Sequence, residues 1–138
     1  LVQMRREALA IMRVLADLRP RLIGSVWRGI AHRGSDIDIE VFCDEPGRVE
    51  ELLREAGYRL VGRELVEKQE GEHLVASYHL RLALPSGREA EVIVRPRTEQ
   101  GRARRCEIFG DPLRGLSLRE LEELLARDPL RKFLPERM

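Results

Sequence analysis

A chain of 138 residues has the size of one domain, and 43% hydrophobic with 36% charged residues make it globular rather than disordered. Its 25 basic and 24 acidic side chains leave a formal net charge of +1, which argues against a protein that coats nucleic acid or membrane by global charge and leaves only local patches. No apolar run approaches the roughly 20 residues of a membrane span, and LVQMRREALAIM at the start has the pattern of a helix rather than a signal peptide; a cytoplasmic protein is expected.

In chain order, Ala8, Ile11, Met12, Leu15 and Leu18 recur at helical spacing, which predicts an amphipathic helix from Met4 to Leu18 ending before Pro20. RLIGS reads as a short strand breaking at Gly24, VWRGIA as a helical turn, and SDIDIEVFC as a longer strand. Pro46 and Gly47 then precede a helix whose stripe is Val49, Leu52, Leu53 and Ala56, with Gly57 as its C-cap. YRLVGREL is a candidate strand, EKQEGEH a polar loop, and LVASYHLRLAL a strand that turns at Pro85, Ser86 and Gly87 into REAEVIVR. Ser117 and Glu120 have capping-box spacing, with Leu116 and Leu121 as a hydrophobic staple, so a last helix starts there and stops near Asp128 and Pro129. The order implies a mixed sheet with helices against it, an α/β (α+β) fold.

Only Lys68 and Lys132 are lysines; the other basic residues are arginines, suited to bidentate ion pairs. Cys43 and Cys106 lack any zinc-like spacing and are expected to be buried free thiols.

The stretch GSVWRGIAHRGSDIDI concentrates the chemistry. Within a strand, Asp36, Asp38 and Glu40 share one face and Ile37, Ile39 and Val41 the other. Carboxylates crowded in this way repel unless a cation lies between them, and magnesium, a hard ion commonly held by one or two carboxylates plus substrate phosphates, is the natural candidate. Gly24 and Ser25 fall at a strand-to-helix junction, where backbone amides can approach a phosphate. Metal-bearing acids beside a phosphate cradle point to phosphoryl or nucleotidyl transfer.

Gly24, Ser25, Arg28, Gly29, Ala31, Ser35, Asp36, Ile37 and Asp38 together resemble the signature of the DNA polymerase beta nucleotidyltransferase superfamily. The resemblance is to its small stand-alone members, the minimal nucleotidyltransferases, and more loosely to the catalytic domain of archaeal CCA-adding enzymes. It implies one nucleotidyltransferase domain over residues 1–138, with a catalytic core at about 20–96 and a C-terminal helical segment at about 117–134. It implies transfer of a nucleoside monophosphate from a nucleoside triphosphate, with ATP the expected donor, to an unknown acceptor, releasing pyrophosphate. Asp36 and Asp38 would share two magnesium ions, with manganese as a substitute, and Gly24, Ser25, Arg28 and Ser35 would bind the nucleotide. A third carboxylate is expected on a later strand; REAEVIVRP supplies Glu91, with Glu89 in reserve, where the family usually has aspartate.

Other residues have bland readings. Arg28 is expected either to brace the triphosphate or to pair with an acid, and Trp27 to be a core aromatic. His32 is expected to be solvated, and His73 and His79 have no partner pattern that assigns them a catalytic role. Arg95, Arg97, Arg102, Arg104 and Arg105 form a basic cluster suited to a nucleic-acid backbone or pyrophosphate, or else a solvated loop. The competing function is a catalytically weak binding module that works with a helical protein partner, as in toxin and antitoxin pairs, with LRKFLPERM as its docking element. A fragment of polymerase chemistry such as tRNA end repair ranks last, since the chain is short for tRNA-binding domains.

Overall fold

The computed structural model describes residues 1–102, 104–105 and 109–135; the expectation for Cys106 lies outside them. The first amphipathic stripe forms α1 (Val2–Val14), shorter than its pattern because a 3-10 turn at Ala16–Leu18 and a left-handed Arg19 (φ 51°) redirect the chain. Strand β1 is Arg21–Ile23 and α2 is Gly24–Arg28. Strand β2 is Ile37–Phe42, α3 is Pro46–Glu55, and β3 and β4 are Arg59–Glu70 and His73–Ala83. Strand β5 is Glu89–Arg95, β6 is Leu116–Ser117 and α4 is Leu118–Arg127. The capping box at Ser117 and Glu120 is formed on both sides, and Ser117 is also the last residue of β6.

These strands make one mixed sheet in the order β3-β4-β5-β2-β1-β6, in which only β2 and β5 run parallel. A parallel pair needs a long crossover, here everything from α3 through β4. Alternation divides the sheet into two faces. Ile37, Ile39, Val41, Leu80, Leu82, Ala90, Val92 and Val94 point into a core closed by Ala8, Ile11, Met12 and Leu15 of α1, Val49 and Leu53 of α3, and Leu121 and Leu124 of α4. Each fully buried Val, Leu, Ile or Met side chain among them is worth about 1.5–3 kcal/mol. The register places Arg21, Asp38, Glu40, His79, Arg81, Glu91 and Arg95 on the opposite face.

The segment EKQEGEH departs from its expected loop. It continues β3 and β4 as a long hairpin, turning only at Gly71 (φ 63°) and Glu72. Its side chains are polar because both faces are largely exposed there, so ladder hydrogen bonds rather than burial hold it. The short first strand breaks at Gly24 as its sequence predicts, with β1 ending at Ile23 and α2 beginning at Gly24. Cys43 is buried and free. No helix among the described residues is long and apolar enough to cross a membrane.

Candidate active site

Asp38 on β2 and Glu91 on β5 are Cα partners in the parallel ladder, and Ile23, the last residue of β1, pairs with Asp38 on its other side. The chain then turns at Gly24 with φ 75°. A Cβ at residue 24 would lie 2.5 Å from Oδ2 of Asp38, so only glycine lets this turn pass over the carboxylate. Burial first, then the negative charges of Glu91 and Asp36, push the Asp38 carboxyl up to about 7. Asp36 precedes the first ladder residue of β2 and is exposed, so it flanks the pair from the entering loop rather than standing in the strand's row.

Glu91 is held from the neighbouring strand. Nδ1–H of His79 donates to its Oε1, and the Ser77 hydroxyl lies 3.0 Å from Nε2 of the same ring. Ser77 is buried, so the row Ser77, His79, Glu91 runs across β4 and β5 toward Asp38. The sequence alone assigns His79 no role, because its partner is twelve positions away and meets it only through the pairing of β4 with β5. Glu89, two residues before Glu91 on the same face, faces Arg81 at 3.8 Å with both side chains about half exposed, and it is Glu91 whose charge reaches Asp38.

Glu40 lies on the same face but is fully buried. Arg95 Nε donates to its Oε2 at 2.8 Å and Arg104 pairs with the same oxygen. Part of the basic cluster after β5 is therefore spent on an internal acid, and Arg102 pairs with Glu99 at 3.1 Å. Arg28 is buried as well: its guanidinium grips both oxygens of Asp111 at 2.9 and 2.5 Å, donates to the Phe133 carbonyl at 3.1 Å and lies over the Trp27 and Phe109 rings. The hydrogen bonds to Asp111 hold that carboxyl below its usual range. Of the two expectations for Arg28, pairing with an acid is the one realised in these contacts. Ser35 accepts a bond from the His32 amide at 3.0 Å and closes the turn that leads into β2. Ser25 opens α2 next to Gly24 and its carbonyl accepts from the Gly29 amide at 3.0 Å.

The donor set around Asp38 is all hard oxygen, burial and the charges of Glu91 and Asp36 raise the Asp38 carboxyl, and a side-chain-free turn lies against it; these features fit a divalent cation. Among the described residues no three acidic, histidine or cysteine side chains already stand close enough to enclose one.

A family model described as nucleotidyltransferase domain matches residues 6–108. No curated protein matches the chain. Among solved structures, it is similar to one described as the structural basis for the activity of a cytoplasmic RNA terminal U-transferase, at 21% identity and TM-score 0.39, over 63% of this chain and 25% of that one. It is also similar to terminal uridylyl transferase 4 from Trypanosoma brucei with bound GTP, at 16% identity and TM-score 0.40, over 66% and 28% of the two chains. JHP933 from Helicobacter pylori aligns at 16% identity and TM-score 0.33, over 78% and 50%. The chain thus spans about a quarter to a half of the length of these structures. With the family model covering most of its length, from α1 through β5 and beyond, the chain belongs to the nucleotidyltransferase domain family.

Proposed function

We propose that the protein transfers a nucleoside monophosphate from a nucleoside triphosphate, ATP first among the candidates, to an acceptor, with release of pyrophosphate. The observation that carries this reading is the in-register pair Asp38 and Glu91 under the Gly24 turn. Asp36, Asp38 and Glu91 are the residues that would hold magnesium, which when bound supplies charge neutralisation at the phosphates. Gly24 and Ser25 bring backbone and hydroxyl donors to the triphosphate, and Ser35 fixes the loop that presents Asp36. Acceptor deprotonation would fall to the metal and Glu91, whose carboxylate is bonded to His79. Arg28 supports this site from beneath, as the buried link between α2 and Asp111.

A second reading, a weakly catalytic domain that would act through a helical partner protein, is favoured by one observation: among the described residues no three acidic, histidine or cysteine side chains stand close enough to enclose a metal ion. The two separate in one experiment. The protein is incubated with magnesium and each labelled nucleoside triphosphate, with and without cell extract, alongside Asp36→Asn and Asp38→Asn. Label on protein, RNA or small molecule that disappears in both variants supports transfer; no label with any triphosphate removes the enzymatic reading.

A further inference from the structure

A cavity of about 750 Å³ opens between the N-terminal end of β1, the segment after β5, and the start of α4. Arg19, Arg21, Arg102, Arg104, Arg114 and Arg119 line it, and among the described residues Glu99 is its only acidic lining residue. The ion pairs already described leave these cations unevenly satisfied. Arg104 is spent on Glu40 and Arg102 on Glu99, while Arg114 reaches only an exposed Glu120 at 3.7 Å, a pair worth little in water. Among the described residues no carboxylate pairs with Arg19, Arg21 or Arg119. Three such guanidinium groups around one cavity repel one another, and an anion between them would relieve that repulsion.

The register fixes where this cavity lies. Arg21 is the Cα partner of Glu40, and Ile23 that of Asp38. Arg21 therefore projects from the same face as Asp38, two residues or roughly 7 Å along the ladder. Gly115 packs against its stem, since a Cβ there would meet Cγ of Arg21 at 2.6 Å, which holds the side chain at the cavity wall. Among the described residues Phe42 is the only aromatic lining residue, so the wall offers forks for phosphate oxygens rather than rings for bases.

We propose that this cavity is a second anion site, one that grips phosphate groups of the acceptor beside the carboxylates. Its location gains meaning from the transfer reading, but its occupation does not depend on it. The ligand is phosphate-rich, either the phosphodiester backbone of a single strand or a free polyphosphate. Two probes distinguish these sources without magnesium or nucleoside triphosphate: a labelled single-stranded RNA of about twelve nucleotides followed by anisotropy, and inorganic tripolyphosphate followed by calorimetry.

Arg119→Glu is the decisive variant. Residue 119 is exposed in the first turn of α4, where an acid suits the helix dipole, so weakened binding would not reflect unfolding. Arg119→Glu combined with Arg21→Ala is expected to weaken the better probe at least about tenfold and to flatten its salt dependence by roughly 0.7 per lost strand contact. Arg13→Ala, on α1, should leave it unchanged. Binding of RNA alone assigns a strand backbone, and equal binding of tripolyphosphate assigns free phosphate. Binding of neither probe, or equal affinity in the double variant, overturns the proposal. Absence of magnesium-dependent transfer would overturn only the catalytic reading and would leave these measurements standing.

Discussion

Asp38 carries the cost of the site. Its native carboxyl binds a proton up to about 7, whereas the ordinary value is 3.8, so between those limits the folded state holds more protons than the unfolded chain. The stability attached to Asp38 is therefore complete below about pH 3.8, declines as pH rises, and is lost above about 7. Discounted for the side chain's remaining exposure, the loss is on the order of 1–3 kcal/mol. Asp38→Asn removes the charge, so in urea melts without divalent cations the variant is expected to gain on the wild type by that amount at pH 8 and hardly at all at pH 4. An equal difference at both pH values would mean that neither burial nor the neighbouring charges raise the Asp38 carboxyl. The aspartates and Gly24 were legible from residue order, because a glycine and two alternating acids make poor sense as packing. What the order did not reveal is that Asp36 lies outside the ladder, since strand ends depend on hydrogen bonds to a neighbour rather than on the strand's own residues.

Pairing between strands turns single acids into a site, and this is where the sequence was hardest to read. Alternation put Glu40 on the face of Asp36 and Asp38, but its neighbours differ: Arg95 and Arg104 enclose it, and its Oε1 has no hydrogen-bond partner among the described residues. Nothing in SDIDIEVFC distinguishes a buried acid from a solvated one, because its arginines arrive from more than fifty residues away. His79 is a similar case. Glutamate in place of the family's usual aspartate adds a rotatable bond at Glu91, and the His79 contact, backed by Ser77, restricts it. On the proposed reading, His79 positions Glu91 as the third carboxylate. His79→Ala is expected to lower manganese affinity about tenfold, as loss of an outer partner commonly does, followed by electron paramagnetic resonance of the free ion. In a Glu91→Ala background the same change should have no further effect. Additive losses would show that the histidine acts independently of Glu91.

For the whole molecule, the sheet's helix-covered face was legible, since hydrophobic periods of two and about 3.6 name its members directly, whereas the way the chain's end is fastened was not. Residues 129–133 have no regular secondary structure, and the expected docking element LRKFLPERM runs past the described residues at 136–138. Within it Leu130 and Leu134 are exposed, while Phe133 stacks on Trp27 with centroids 6.4 Å apart and its amide donates to the Arg28 carbonyl at 2.8 Å. The fastener is Arg5, fully buried in α1 without a carboxylate partner among its bonds. It donates to the carbonyls of Val26, Trp27, Pro129 and Arg131 at 3.1, 2.9, 2.8 and 2.7 Å, joining three parts of the chain through one side chain. Burial lowers its pKa and Asp128 opposes that shift, while four carbonyl dipoles replace the water it has lost. Because α2 begins at the Gly24 turn, whatever fixes its last carbonyls also steadies the turn above Asp38. Arg5→Met keeps the volume but orphans the carbonyls, so a loss of roughly 3–5 kcal/mol is expected in chemical denaturation. Arg5→Lys should recover only part of it, because a point charge cannot span four acceptors. Hydrogen exchange at the Phe133 amide distinguishes a fastener from a mere core residue. Exchange that accelerates there in Arg5→Lys more than at the Ile39 amide of the central strand places the damage in the C-terminal segment; uniform acceleration would show that Arg5 only adds to global stability.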